Sequence, residues 1–111
     1  MAGAGGLNHY LLPRDAGNSH SALRFGSAAI PELVRRVLDL GGRRKQLLAK
    51  IFGGAGMIEG SAGRLSAENV EIARRLLAEA QIPIVAEDVG GRQGRKLICR
   101  VRDGSAWVKL A

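Results

Sequence analysis

Two histidines and one cysteine are the side chains of this 111-residue chain best suited to proton transfer or covalent chemistry. His9 stands in the run Gly5-Gly6-Leu7-Asn8-His9-Tyr10-Leu11-Leu12-Pro13. Two glycines open this apolar run and a proline closes it, so it is predicted as a strand. Alternation then puts Leu7, His9 and Leu11 on one face and Asn8, Tyr10 and Leu12 on the other. An imidazole in the middle of an apolar row can give or take a proton near neutral pH. His9 is therefore the leading candidate for general acid–base work. A hydrogen-bonded core or rim histidine fits the same pattern, and spacing alone does not separate the two.

The other two candidates are weaker. His20 lies in residues 14–26, a stretch rich in turn formers with no metal-ligand spacing around it. Cys99 falls between Leu97 and Val101 in an alternating run, with Arg100 directed to the opposite face. A nucleophilic thiolate needs a base, a cation or a helix N-terminus beside it. Cys99 reads instead as a small buried hydrophobe. Gly53-Gly54-Ala55-Gly56 suggests a phosphate cradle, yet no Gly-Lys-Ser/Thr follows and the glycines do not fall as G-x-G-x-x-G. A tight turn, or close approach of backbone near a site, suits it better.

These residues must be positioned by a small set of elements. Ile30, Leu33, Val34, Val37 and Leu38 recur at helical spacing, with Ser27 as N-cap and Gly41-Gly42 as a left-handed C-cap. Leu47-Leu48-Ala49-Lys50-Ile51-Phe52 is a short apolar run that predicts a strand. A second helix is predicted from an N-cap at Ser66, with Val70, Ala73, Leu76, Leu77 and Ala80 as its apolar stripe and Gln81 and Pro83 marking its end. Residues 82–86 then form a strand, and Gly90-Gly91-Arg92-Gln93-Gly94 a loop. Residues 95–102 and 106–110 pair as a hairpin about Asp103-Gly104. The sum is a layered α/β fold with a mixed sheet and two helices packed against one face.

Composition bounds the function classes. The length suits one domain, and 46% hydrophobic residues suffice for a core. No apolar run approaches the ~20 residues that span a bilayer, and the first residues do not read as a secretory signal, so membrane insertion is not expected. A lone cysteine forms no internal disulfide, and a reducing, cytoplasmic location is the default. Lys and Arg number 17 against 10 Asp and Glu, a net charge of +7. That charge suits an anionic partner. The basic residues fall in scattered pairs (Arg35-Arg36, Arg43-Arg44-Lys45, Arg74-Arg75, Arg95-Lys96), which read as solvated faces. With one Trp, one Tyr and two Phe, the chain has little for a nucleic-acid stacking platform, and a nucleic-acid partner is not expected.

Three motifs carry a family resemblance. Leu7-Asn8-His9-Tyr10-Leu11-Leu12-Pro13, then Ala49-Lys50-Ile51-Phe52-Gly53-Gly54-Ala55 with Met57, then Asp88-Val89-Gly90-Gly91 with Gly94-Arg95 resemble the bacterial CheD family in order and spacing. The resemblance runs over essentially the whole chain. It implies a chemoreceptor glutamine deamidase, a protein-glutamine glutaminase that hydrolyses glutamine side chains on methyl-accepting chemotaxis receptors to glutamate and releases ammonia, without cofactor or metal. It also implies a layered α/β fold similar to the catalytic domain of the cytotoxic necrotizing factor toxins. In that family a thiolate attacks the amide carbon and a histidine supplies acid–base chemistry. By its place in the His-aromatic-Leu-Leu-Pro motif, the histidine corresponds to His9. The family's cysteine sits upstream in a Gly-Ser-Cys motif that these residues do not contain, and Cys99 does not correspond to it. The resemblance thus predicts a single CheD-like domain over residues 1–111 that lacks the N-terminal catalytic-cysteine segment, with weak or no activity of its own. The other reading is a non-catalytic module that docks on chemoreceptors or on a CheC-type phosphatase.

Overall fold

The computed structural model describes residues 4–14, 24–56 and 61–110. His20 and Met57 lie outside the described residues. Helices α1 (Gly26–Asp39) and α2 (Ser61–Glu79) and strands β1 (Ala49–Gly53), β2 (Ile84–Val89), β3 (Arg95–Cys99) and β4 (Ala106–Leu110) follow in the order α1-β1-α2-β2-β3-β4. The α/β class with two helices is as predicted. Among the described residues the strands form two small sheets in place of the one mixed sheet expected: β1 pairs with β2 in parallel, and β3 with β4 antiparallel. Parallel neighbours need a long crossover, and α2 supplies it. The hairpin closes on itself locally and joins no other strand among the described residues.

The core lies where α1, α2 and the parallel pair meet. Ile30, Ala73, Leu77 and Ile82 are buried together, with Tyr10, Val34, Leu47, Ile51 and Ile84 packed around them. The apolar stripe of α1 is as its period predicts, Ile30 and Val37 being buried. The helix ends in a paired-bond cap: Gly42 N–H donates to Val37 O and Gly41 N–H to Leu38 O, with Gly41 at φ +104°. Ser27, expected as the N-cap, lies inside the helix, and the cap residue is Phe25, which makes no side-chain bond. The first amides find backbone instead. Gly26 N–H donates to Leu12 O at 2.8 Å and Ser27 N–H to Pro13 O at 2.9 Å. The chain leaving the His9 segment thus satisfies the helix start in place of a side chain. On the outer face, hydrogen bonds from Arg35 and Arg36 hold the Glu32 carboxyl down at about 2.

Helix α2 starts at Ser61, more than a turn before the predicted cap at Ser66. Ser66 is instead an interior residue whose hydroxyl donates to Ala55 O at 2.8 Å. Ile72, outside the predicted stripe, is the most deeply buried of the core residues at 2% exposure. At the far end Ile82 N–H donates to Leu77 O and Gln81 N–H to Ala78 O, with Gln81 in the left-handed region at φ +59°. Gln81 thus does mark the end of this helix.

Two further expectations are overturned. The strand predicted to reach Arg102 ends at Cys99. Arg100 N–H donates to Ser105 O, and Gly104 N–H folds back to Arg100 O, so the turn is wider than a two-residue one. The Asp103 carboxylate accepts from Ser105 N–H, which lowers its pKa. Cys99 was expected in the core and is exposed. Alternation correctly joins it to Leu97 on one face, but among the described residues that face is covered over only part of its length.

Candidate active site

The predicted strand around His9 is not part of a sheet. Its only ladder contact among the described residues is an isolated parallel bridge between Leu12 and Phe25. The alternation is nonetheless real. Leu7, His9 and Leu11 are exposed, whereas Asn8, Tyr10 and Leu12 turn inward and are half-buried. His9 therefore sits on an open face between Leu7 (63% exposed) and Leu11 (56%), and its ring makes no hydrogen bond among the described residues.

The inward row is what holds this segment. The Tyr10 hydroxyl donates to Asn69 O, and the Asn69 side-chain amide returns a bond to Leu11 O at 2.9 Å. The Tyr10 ring lies over Gly26, where a Cβ would come within 2.7 Å of it. Burial raises the Tyr10 pKa. Asn8 Nδ2 and Asn69 Oδ1 are buried without a hydrogen-bond partner among the described residues.

The second part of the site lies at the carboxyl ends of β1 and β2. Gly53, Gly54, Gly90 and Gly91 all adopt positive φ, so both strands end in consecutive left-handed residues. Gly90 N–H donates to Gly53 O and Gly56 N–H to Gly91 O, each at 2.9 Å. The two turns thus bond to each other through their backbones, which is the close backbone approach expected from the sequence. Arg95 closes the arrangement. Its guanidinium donates to Gly53 O (3.1 Å), Gly90 O (2.7 Å) and Asp88 Oδ1 (3.0 Å). Expected on a solvated face, the Arg95 side chain is only 8% exposed, because all three acceptors converge on it. Beside the turns opens a shallow cleft of about 410 Å³, lined by Gly54, Val70, Arg74, Gly90 and Gly91 among others.

Helix α2 ties the two parts together. Ser66 and Val70 touch the Gly54 turn, and Asn69 between them holds the His9 segment. Residues three and four apart share a helix surface, so one turn of α2 sets both positions. The structure thus brings together two of the three sequence motifs, those ending at Gly53-Gly54-Ala55 and at Gly90-Gly91 with Arg95. His9 stays apart from them on the exposed row of its segment, with no hydrogen bond from its ring to either motif or to Cys99 among the described residues.

Residues 11–110 match the family model for CheD, described as chemotactic sensory transduction. The chain belongs to the CheD family. Similar proteins include the probable chemoreceptor glutamine deamidase CheD 1 of Anaeromyxobacter dehalogenans, 51% identical over 98% of this chain and 64% of its own length. The counterpart of Trichlorobacter lovleyi is 39% identical over 92% of this chain and 65% of its own length. That of Burkholderia vietnamiensis is 37% identical over 98% of this chain and 46% of its own length. The chain thus spans less than two thirds of each of these CheD relatives. Among the described residues, no helix is long and apolar enough to cross a membrane.

In this CheD-family fold, Gly54 is the most constrained of the turn residues. It has φ +67°, and an added Cβ would lie 2.4 Å from Val70 Cγ2. Gly54→Ala is expected to destabilise the protein by about 1–3 kcal/mol, combining left-handed strain with the clash. Urea unfolding of the single variant and of Gly54→Ala with Val70→Ala measures it. The double variant should recover the steric part and keep the backbone part.

Proposed function

We propose that this chain supplies the histidine-bearing part of a chemoreceptor glutamine deamidase, acting on glutamine side chains of methyl-accepting chemotaxis receptors in the cytoplasm. The observation that carries the reading is the match to CheD over nearly the whole chain, together with relatives named for that activity. His9, exposed on an open face, is the proposed general acid–base: it takes the thiol proton as sulfur attacks the amide carbon and returns it to the departing ammonia. The thiol belongs to the Gly-Ser-Cys motif of the family resemblance, which these 111 residues do not hold. Cys99 does not replace it, since its side chain has no hydrogen-bonded base among the described residues. The domain is accordingly proposed as a CheD-like unit that needs that segment for turnover.

The test compares three proteins against a soluble receptor cytoplasmic fragment, reading ammonia release and the mass change from amide to acid. They are this chain, the Anaeromyxobacter relative, and a fusion that places a Gly-Ser-Cys-bearing segment of the kind the family resemblance implies ahead of this chain. The fusion and the relative should release ammonia, and the chain alone little. A silent fusion beside an active relative would refute the reading. A second reading is non-catalytic docking on receptors or on a CheC-type phosphatase, supported by the net charge of +7, which suits an acidic partner surface. Stoichiometric binding with no turnover by the fusion would favour it.

A further inference from the structure

The outward face of the β3–β4 hairpin takes no part in the site above. Alternation puts Lys96 and Ile98 of β3 on this face, opposite Lys109 and Trp107 of β4. Ile98 and Trp107 form a cross-strand apolar pair, yet they remain 55% and 49% exposed. The guanidinium of Arg100 lies 5.1 Å from the centre of the Trp107 ring, on one of its two faces. Lys96 and Lys109 oppose each other directly, and neither has a carboxylate partner among the described residues. The hairpin's own carboxylate, Asp103, is engaged by Arg100 and by Ser105 N–H.

Like charges directly opposite across a strand pair are unfavourable in the free protein. An exposed Trp with an aliphatic neighbour and an arginine has the composition of an interface centre rather than of ordinary surface. We propose that this face is a docking surface for an acidic, amphipathic protein segment, its carboxylates meeting Lys96 and Lys109 and its apolar side chains covering Ile98 and Trp107. The proposal goes beyond deamidation, since it asks no chemistry of this chain. Charge complementarity selects the occupant. A single-stranded nucleic acid would need successive aromatic platforms, and here one ring stands alone with one face already covered by Arg100. A membrane surface would need a larger apolar patch than two side chains.

Trp107 is the only tryptophan in the chain, so its emission reports on this face directly. The full chain is titrated with a synthetic helical peptide carrying leucines on one face and glutamates on the other, and separately with a receptor cytoplasmic fragment. The peptide should shift Trp107 emission saturably, and added salt should weaken binding. K109E should reduce affinity about tenfold or more. K109E also places a glutamate opposite Lys96, so stability should hold or rise, which separates lost docking from lost folding. The proposal is overturned by emission that does not move at saturating peptide, by equal affinity of K109E and the unaltered chain, or by tighter binding to a single-stranded oligonucleotide or to vesicles rich in phosphatidylglycerol. A peptide response without a response to the receptor fragment leaves docking intact and counts against the receptor as partner. Receptor binding without any peptide or Trp107 response does the reverse.

Discussion

Replacing Arg95 with alanine should destabilise the protein by about 2–4 kcal/mol, the largest loss expected from a single side chain outside the apolar core. For a domain of this length that corresponds to a fall in Tm on the order of 10–20 °C. Three acceptors from two strand ends converge on one guanidinium that is nearly out of solvent. Hydrogen bonds from a charged donor contribute more than neutral ones, and the Gly53 carbonyl takes both the Gly90 N–H and the Arg95 guanidinium while Arg95 is the donor to Gly90 O. Asp88, at 48% exposure, regains hydration once its partner is gone, which keeps the loss below that of a fully buried pair. The ranking of variants tests the assignment. Asp88→Asn should cost under about 1 kcal/mol, since it weakens a half-exposed ion pair only. Arg95→Lys should recover less than half of the alanine loss, because one ammonium cannot reproduce the planar fork spanning both turns. Thermal unfolding of the three proteins measures the order. Equal losses for Asp88→Asn and Arg95→Ala would mean that the ion pair, and not the bracing of the glycine turns, is what Arg95 provides.

That role was beyond reach of the sequence, and the reason is geometric. The two Gly-Gly pairs and Arg95 could be picked out as motif residues, but an arginine at a strand start next to a lysine has the pattern of a solvated pair. Only when β1 and β2 end side by side do their last carbonyls form a socket for it. Features set by neighbours along the chain were legible: the stripe and glycine cap of α1, the termination of α2 near Gln81, the hairpin about Asp103-Gly104, and the alternation from Leu7 to Leu12. Features set by contacts across the fold were not. Ser66 has the chemistry of a cap, but its hydroxyl reaches Ala55 from inside the helix. Ser27 lost the same role because Leu12 and Pro13 bring carbonyls to the helix start. Cys99 shares a face with Leu97, and periodicity cannot say whether anything lies over that face. The run through His9 reads as a strand for the same reason: alternation identifies an extended backbone, while a ladder belongs to two segments and not to one.

His9→Ala, made in the fusion that carries the Gly-Ser-Cys segment, should lower kcat for glutamine deamidation by about 10²–10⁴ and leave stability within roughly 0.5 kcal/mol of the parent. The two halves of this prediction follow from one observation. The ring is exposed and makes no hydrogen bond among the described residues, so the fold asks nothing of it. Tyr10, the inward neighbour, is the converse. Its hydroxyl anchors the segment to Asn69 O and its ring covers Gly26, so Tyr10→Phe should cost about 1 kcal/mol and act on turnover only by loosening the backbone that carries His9. The split between kcat and KM separates proton transfer from recognition. A histidine that moves the proton during attack and ammonia departure affects kcat with little change in KM. One that merely borders the receptor surface raises KM alone. His9→Gln sharpens the comparison, because the amide keeps much of the polarity of the ring without its basicity. Recovery of turnover by glutamine would remove His9 from the chemistry, and the exposed leucines on either side would then describe a contact surface instead.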